Sequence, residues 1–198
     1  DDTRKEQTFA MTVGLNIPIP GVKGLSLDGQ FMFERKNTKN RTFANENTFE
    51  ARDLYNTATT YDANTGALTN NLPWGGILNV TNGNSQNYSI RGQINYDGVI
   101  DEIHQITALA GMEIRETRDW ANGARYYGYN EKTLIAGSQL PNPYINIWGY
   151  NSYLTDASPE TDYQRRYLSY YGNLSYTLMN KYVLSGSVRY DDYNNFGV

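Results

Sequence analysis

The chain contains no cysteine, which removes disulfides, zinc–thiolate centres and thiol nucleophiles together. A single histidine, His104, has no Cys or His companion with which to build a metal site. No stretch approaches the roughly 18 consecutive apolar residues that a membrane-spanning helix needs. The mean hydropathy of −0.67 points the same way, yet it leaves open a β-barrel, whose half-polar strands look hydrophilic on average. A formal net charge of −4 gives no electrostatic footprint for nucleic acid. Nucleophile elbow, phosphate loop and H-E-x-x-H motif are all missing. Asp191 and Asp192 are adjacent, so a continuing strand sends them to opposite faces, and Asp101 and Glu102 fall in a short turn. These absences predict a protein that is not an enzyme and holds no cofactor.

What the chain does have is alternation. Six stretches, 7–17, 24–35, 87–97, 104–116, 166–178 and 181–191, place apolar residues at every second position. A period of two is β geometry, because successive side chains leave a strand on opposite sides. One face carries Phe9, Val13, Leu27, Phe31, Ile90, Ile94, Met112, Leu174, Leu184, Val188 and their like. Of its 31 positions, 27 are apolar or aromatic, four are Gly and none is charged. The intervening face holds Asp28, Glu34, Arg91, Glu113, Arg115 and Arg189 among Thr, Ser, Asn and Gln. A face this free of charge predicts contact with lipid, and the stretches have the length of membrane-crossing strands.

The connections alternate between short and long. Residues 18–23 (Pro-Ile-Pro-Gly-Val-Lys), 98–103 and 179–180 read as hairpin turns, with Pro, Gly, Asp and Asn supplying tight backbone angles. Two connections near 36–86 and 119–165 are long and predict extracellular loops, since barrels of this kind have short turns on one rim and long loops on the other. Within them, 62–66 and 81–84 carry hairpin-like punctuation. Tyr88 and Tyr96 end one apolar face, as do Tyr182 and Tyr190 another. At about 3.4 Å per residue and a tilt near 40°, each pair brackets roughly 21 Å of bilayer. The fold class predicted is all-β: an antiparallel, up-and-down transmembrane β-barrel segment of about six strands in three hairpins. Bacterial barrels begin at about eight strands, because an open sheet in lipid leaves edge N–H and C=O groups unpaired. The six strands are therefore expected to belong to something larger. A start at Asp1-Asp2-Thr3 and an end at Val198 just beyond a strand carry the same expectation.

Tyr167-Leu168-Ser169-Tyr170-Tyr171-Gly172-Asn173-Leu174-Ser175-Tyr176, followed by Lys181-Tyr182-Val183-Leu184-Ser185-Gly186-Ser187-Val188-Arg189-Tyr190-Asp191 and then Phe196-Gly197, resembles the barrel signature of SusC/RagA-type TonB-dependent transporters. Asn87-Tyr88-Ser89-Ile90-Arg91-Gly92-Gln93-Ile94-Asn95-Tyr96 with Ile106-Thr107-Ala108-Leu109-Ala110-Gly111-Met112-Glu113 resembles the preceding hairpin. The loop start Asp192-Tyr193-Asn194-Asn195 departs from the Gly-Ser-Ser type more usual there. The resemblance implies a barrel of about 22 strands in the outer membrane, with an N-terminal plug and a SusD-like lipoprotein lid. Such a protein imports oligosaccharides or peptides with energy delivered through TonB. On this reading residues 1–198 are a partial barrel domain from which plug, TonB box and signal peptide are absent.

Two groups of residues are candidates for function. Trp74, Trp120, Tyr126, Tyr127, Tyr129, Tyr144 and Trp148 are loop aromatics suited to a sugar ring, a peptide or a lid surface; the competing reading is that they fill small cores within the loops. Arg91, Glu113, Arg115 and Arg189 are lumen charges that either pair across strands or steer substrate. A rival class also fits a β-rich chain: a soluble or surface-attached carbohydrate-binding or adhesin module, in which a second sheet covers the apolar face.

Overall fold

A computed structural model describes residues 2–137, 140–155 and 160–197, with side chains described as far as Asn194; Asp1, Val198 and the Asn195 and Phe196 side chains, named above, lie outside that description. Ten strands and one helix follow in the order β1 (Asp2–Pro18), β2 (Leu25–Ala44), α1 (Phe49–Thr57), β3 (Thr59–Tyr61), β4 (Leu68–Asn70), β5 (Gly76–Ile100), β6 (His104–Tyr129), β7 (Tyr144–Ile145), β8 (Asn151–Ser152), β9 (Thr161–Leu178) and β10 (Tyr182–Gly197). The six long strands form one sheet in the order β1-β2-β5-β6-β9-β10. Chain neighbours joined by short turns are thus sheet neighbours, and the protein is an all-β chain of three antiparallel hairpins. The sheet ends on β1 and β10, each with an edge that no described strand pairs.

Contacts divide the chain into two compact units. The first, here the sheet unit, holds Gln7–Lys36, Asn84–Trp120 and Asp162–Val198. Its register keeps like faces together: Leu184 lies opposite Tyr176, Gly186 opposite Leu174, Val188 opposite Gly172 and Tyr190 opposite Tyr170. None of the 31 charge-free positions is buried. Phe31 is 37% exposed, Ile94 50%, Leu174 53% and Val188 71%, so no second layer of the described chain seals them. Among the described residues this unit buries no hydrophobic side chain at all.

Turn chemistry fixes the hairpins. Asp101 and Glu102 both take positive φ, as do Met179 and Asn180, the pair of left-handed residues that a two-residue type I′ turn requires. The 19–24 connection uses Gly21 and Gly24 at φ 86° and 84°. Backbone bonds tie the turns to their neighbours: Asp97 N–H on β5 donates to the Gly24 carbonyl at 2.8 Å, and Met179 N–H donates to the Ile103 carbonyl of the adjacent turn at 2.7 Å.

The second unit, the loop unit, holds Asp1–Glu6, Asn37–Gly83 and Ala121–Thr161. Among the described residues all the buried hydrophobic side chains lie here, in two clusters. One gathers Ala51, Ala58, Leu72, Ile77, Tyr127, Tyr144 and Leu154; the other gathers Phe43, Leu78 and Tyr129. Helix α1 begins at Thr48, whose hydroxyl accepts from Ala51 N–H at 3.3 Å, a side-chain N-cap. Residues 62–66 do make a hairpin turn, between β3 and β4: Asp62 N–H donates to the Ala67 carbonyl at 2.9 Å. Residues 81–84 do not. They run as strand within β5, and Gly83 is not among the glycines of positive φ. The long strands also outrun the alternating stretches, β5 starting at Gly76 and β6 ending at Tyr129. There both faces are polar or enclosed, and the period of two disappears from the sequence although the ladder continues.

Gly24 offers a test of the turn lattice. A Cβ there would fall 1.8 Å from the Asp97 carbonyl oxygen, at a φ of +84°. Gly24→Ala is expected to destabilise the protein by about 2 to 3 kcal/mol, read as a lowered denaturant midpoint; Gly14→Ala, where a Cβ meets nothing within 4 Å, is expected to shift it by well under ~1 kcal/mol.

Candidate functional site

The polar face of the sheet unit is organised rather than merely wet. Asp28 on β2 accepts from Asn16 on β1 and from Asn95 on β5. The Gln93 amide donates to Asn95, and the Tyr171 hydroxyl on β9 donates to Gln93 Oε1 at 3.0 Å. Tyr171 reaches β5 because β6 presents Gly111 beneath it: a Cβ at that position would meet the hydroxyl at 2.6 Å. One belt of side-chain hydrogen bonds therefore crosses the sheet from β1 to β9.

The four predicted lumen charges lie on this face, and none pairs with another of the four. Arg91 is exposed, beside Asn16, Asp28 and Gln93 in a cleft of ≈350 Å³. Glu113 is half-buried and accepts from Ser89 Oγ at 3.4 Å. The Arg115 guanidinium lies 4.5 Å from the centre of the Tyr167 ring, a cation–π contact. Arg189 Nε donates to both oxygens of Asp191 at 2.9 Å and its Nη2 to Ser169 Oγ at 3.2 Å. Asp191, two residues along the same strand, shares its face, which is why Arg189 turns to it.

The ion pairs that do bridge neighbouring strands were not predicted. Glu116 meets Arg166 at 2.5 Å, Asp119 meets Arg165, and Arg118 meets Asp162 in a two-pronged contact with Nε to Oδ1 at 2.9 Å. They sit at or beyond the ends of the alternating stretches. The Arg118 guanidinium, chiefly through this hydrogen bond, holds the Asp162 carboxyl below its ordinary value, and Asp162 in turn raises Arg118.

The loop aromatics divide. Tyr127 and Tyr144 are packed in the same cluster, and the Tyr127 hydroxyl donates to the Thr155 carbonyl at 2.7 Å. Tyr129 is buried edge-on to Phe43, centroids 5.7 Å apart, beneath Arg41. These three serve the interior of the loop unit. Trp74 is half exposed, edge-on to Tyr55 at 4.7 Å. It shares with Tyr129, Asn45, Glu46 and Lys132 a cleft of ≈330 Å³. Trp148 stands out on the turn between β7 and β8, its backbone N–H donating to Asn146 Oδ1 at 3.0 Å. Tyr126 is exposed. Trp120 belongs to the sheet unit, where Arg118 lies 5.4 Å from its ring. Of the seven, Trp74 and Tyr129 line a common cleft. Among the described residues no three His, Asp or Glu side chains gather as metal ligands do.

Comparison with known proteins places this geometry. Solved structures share the fold: the RagAB peptide transporter matches with a TM-score of 0.61 and 21% identity over 96% of this chain and 18% of that one. The RagAB peptide importer matches in its open-open and closed-closed states, each with a TM-score of 0.60 and 22% identity over the same shares. The chain thus spans about a fifth of the length of those proteins. No family model and no curated protein matches the sequence.

The Arg118–Asp162 pair predicts a pH dependence. Because the folded-state carboxyl is depressed, its contribution is complete above the ordinary value of 3.8 and is lost as pH falls through the lower folded value. Asp162→Asn is expected to flatten the acid limb of a stability–pH curve while lowering its neutral plateau only slightly, as for a solvent-exposed pair; an unchanged acid limb would count against the pair.

Proposed function

We propose that this chain is a stretch of the wall of an outer-membrane β-barrel importer of the SusC/RagA kind, acting in transport and not in catalysis. The observation that carries the reading is a long-stranded sheet unit that buries no hydrophobic side chain among its described residues while one entire face is free of charge. In water, such a sheet has nothing to set against the loss of chain entropy. Against hydrocarbon, the same face is in its proper solvent. The open edges of β1 and β10 support the other half of the proposal: the rest of a larger polypeptide supplies flanking strands toward a closed wall of about 22. Similarity to part of the RagAB transporter structures supports the same architecture.

The proposed cargo is an oligosaccharide or a peptide, passing the polar face. A SusD-like lipoprotein is the proposed lid over the loop side, and the TonB complex the proposed energy source, acting on a plug elsewhere in the parent protein. The rival soluble binding module needs a covering layer over Phe31, Ile94, Leu174 and Val188, and all four are open in this chain.

The parent protein is expected to fractionate with outer membrane and to migrate differently on gels before and after heating. Full solubility without detergent would favour the binding module. Ile94→Arg is expected to cost roughly 2 to 4 kcal/mol in bilayers, the penalty for a cation near the midplane, whereas Gln93→Arg on the polar face should cost far less; equal penalties would contradict the assignment of faces.

A further inference from the structure

On the polar face, where the opposite face of β6 turns from apolar Ile114 to charged Glu116, a cleft of ≈360 Å³ is lined by Glu34, Asn87, Arg115, Thr117, Arg165 and Tyr167. We propose that this cleft is a binding site for a single carboxylate, held by the Arg115 guanidinium.

Arg115 is placed to donate hydrogen bonds to an anion. Tyr167 lies under it at 4.5 Å, and Tyr167 is itself stacked on Tyr193, its register partner on β10, with centroids 5.2 Å apart and planes at 30°. Two stacked rings thus support one planar cation, leaving the edges of the guanidinium for hydrogen bonds, the geometry that suits a carboxylate fork. No carboxylate among the described residues takes that role: no ion pair to Arg115 lies within 4.0 Å. The competing groups are engaged elsewhere. Arg165 is held by Asp119, Asp191 has both oxygens on Arg189, and Glu34 accepts from Asn87 at 3.2 Å. The Thr117 hydroxyl lines the same space as a further donor.

Glu34 also sets the charge selectivity. Glu34 faces the cleft beside Arg115 and Arg165, Arg165 is neutralised by Asp119, and Asp191 also lies within electrostatic reach of Arg115, so the cleft carries no large positive excess, and a doubly charged phosphate or sulfate is less well matched there than a monoanion. The shared chemistry is therefore a carboxylate, carried either by the C-terminus of a peptide or by a sugar acid. The inference rests on the importer reading only in regarding the ligand as cargo.

The experiment uses the full-length parent protein in detergent and compares N-acetyl-tetra-alanine with its C-terminal amide by calorimetry, with digalacturonic acid as a second carboxylate source. Wild type is expected to bind the free acid at least about tenfold more tightly than the amide, the value of one charged hydrogen-bonded contact. Arg115→Gln should abolish the difference and Arg115→Lys restore part of it, while Arg91→Gln, in a separate cleft, leaves it intact. Preference for the peptide acid or the sugar acid identifies the source of the carboxylate, and either supports the site. Equal binding of acid and amide, binding of neither carboxylate, or discrimination that survives Arg115→Gln overturns it. Heat-modifiable migration of the same preparation reports separately on the importer reading.

Discussion

Everything in this chain follows from a sheet that has one face without charge and no core of its own to cover it. Alternation at a period of two sorts side chains by polarity along each of the six strands, and the register carries that sorting across the sheet, Val188 beside Gly172 and Leu184 beside Tyr176. A soluble sheet would bring a second layer onto such a face. Here the buried clusters form instead among residues of the loop unit, around Ile77 and Tyr127 and around Phe43 and Leu78. The apolar face is left uncovered by the described chain.

The opposite face solves a different problem. Polar side chains that line an interior need partners, and lone pairs or N–H groups left without them are costly. The belt from Asn16 through Asp28, Asn95 and Gln93 to Tyr171 satisfies several at once, and Gly111 is the residue that makes it continuous, since any side chain there would block Tyr171. Charges are then added in separate arrangements along the strands: on this face Arg189 with Asp191 and Arg115 on Tyr167, and on the other face, beyond Ile114, the β6–β9 ion pair of Glu116 with Arg166. Cross-strand bonds of this kind tie neighbouring strands together where hydrophobic packing is absent.

The strands were legible in the sequence wherever one face had to be apolar, and the turns wherever Gly or a two-residue gap demanded positive φ. Beyond that band the signal fails for a physical reason. Residues 76–86 and 117–129 pair as strand, yet neither face meets a uniform environment, so Thr81-Asn82-Gly83-Asn84 imitates a turn while lying in β5. Helix α1 was missed: its nine residues are held mainly by Thr48 and by tertiary packing of Ala51, neither of which stands out in a polar stretch. The aromatics show the same limit. Composition identified a set rich enough to bind or to pack, but only the tertiary structure separates Tyr127, Tyr129 and Tyr144, turned inward, from exposed Trp148 and half-exposed Trp74.

Because the chain has no cysteine, single cysteines carrying a nitroxide report the environment of each face directly, provided the remainder of the parent protein is cysteine-free or made so. Labels at positions 90 through 94 of the parent protein in lipid vesicles are predicted to alternate, with 90, 92 and 94 accessible to dissolved oxygen and 91 and 93 accessible to a water-soluble nickel chelate. Accessibility to the nickel chelate at all five positions would contradict the claim that lipid covers the charge-free face.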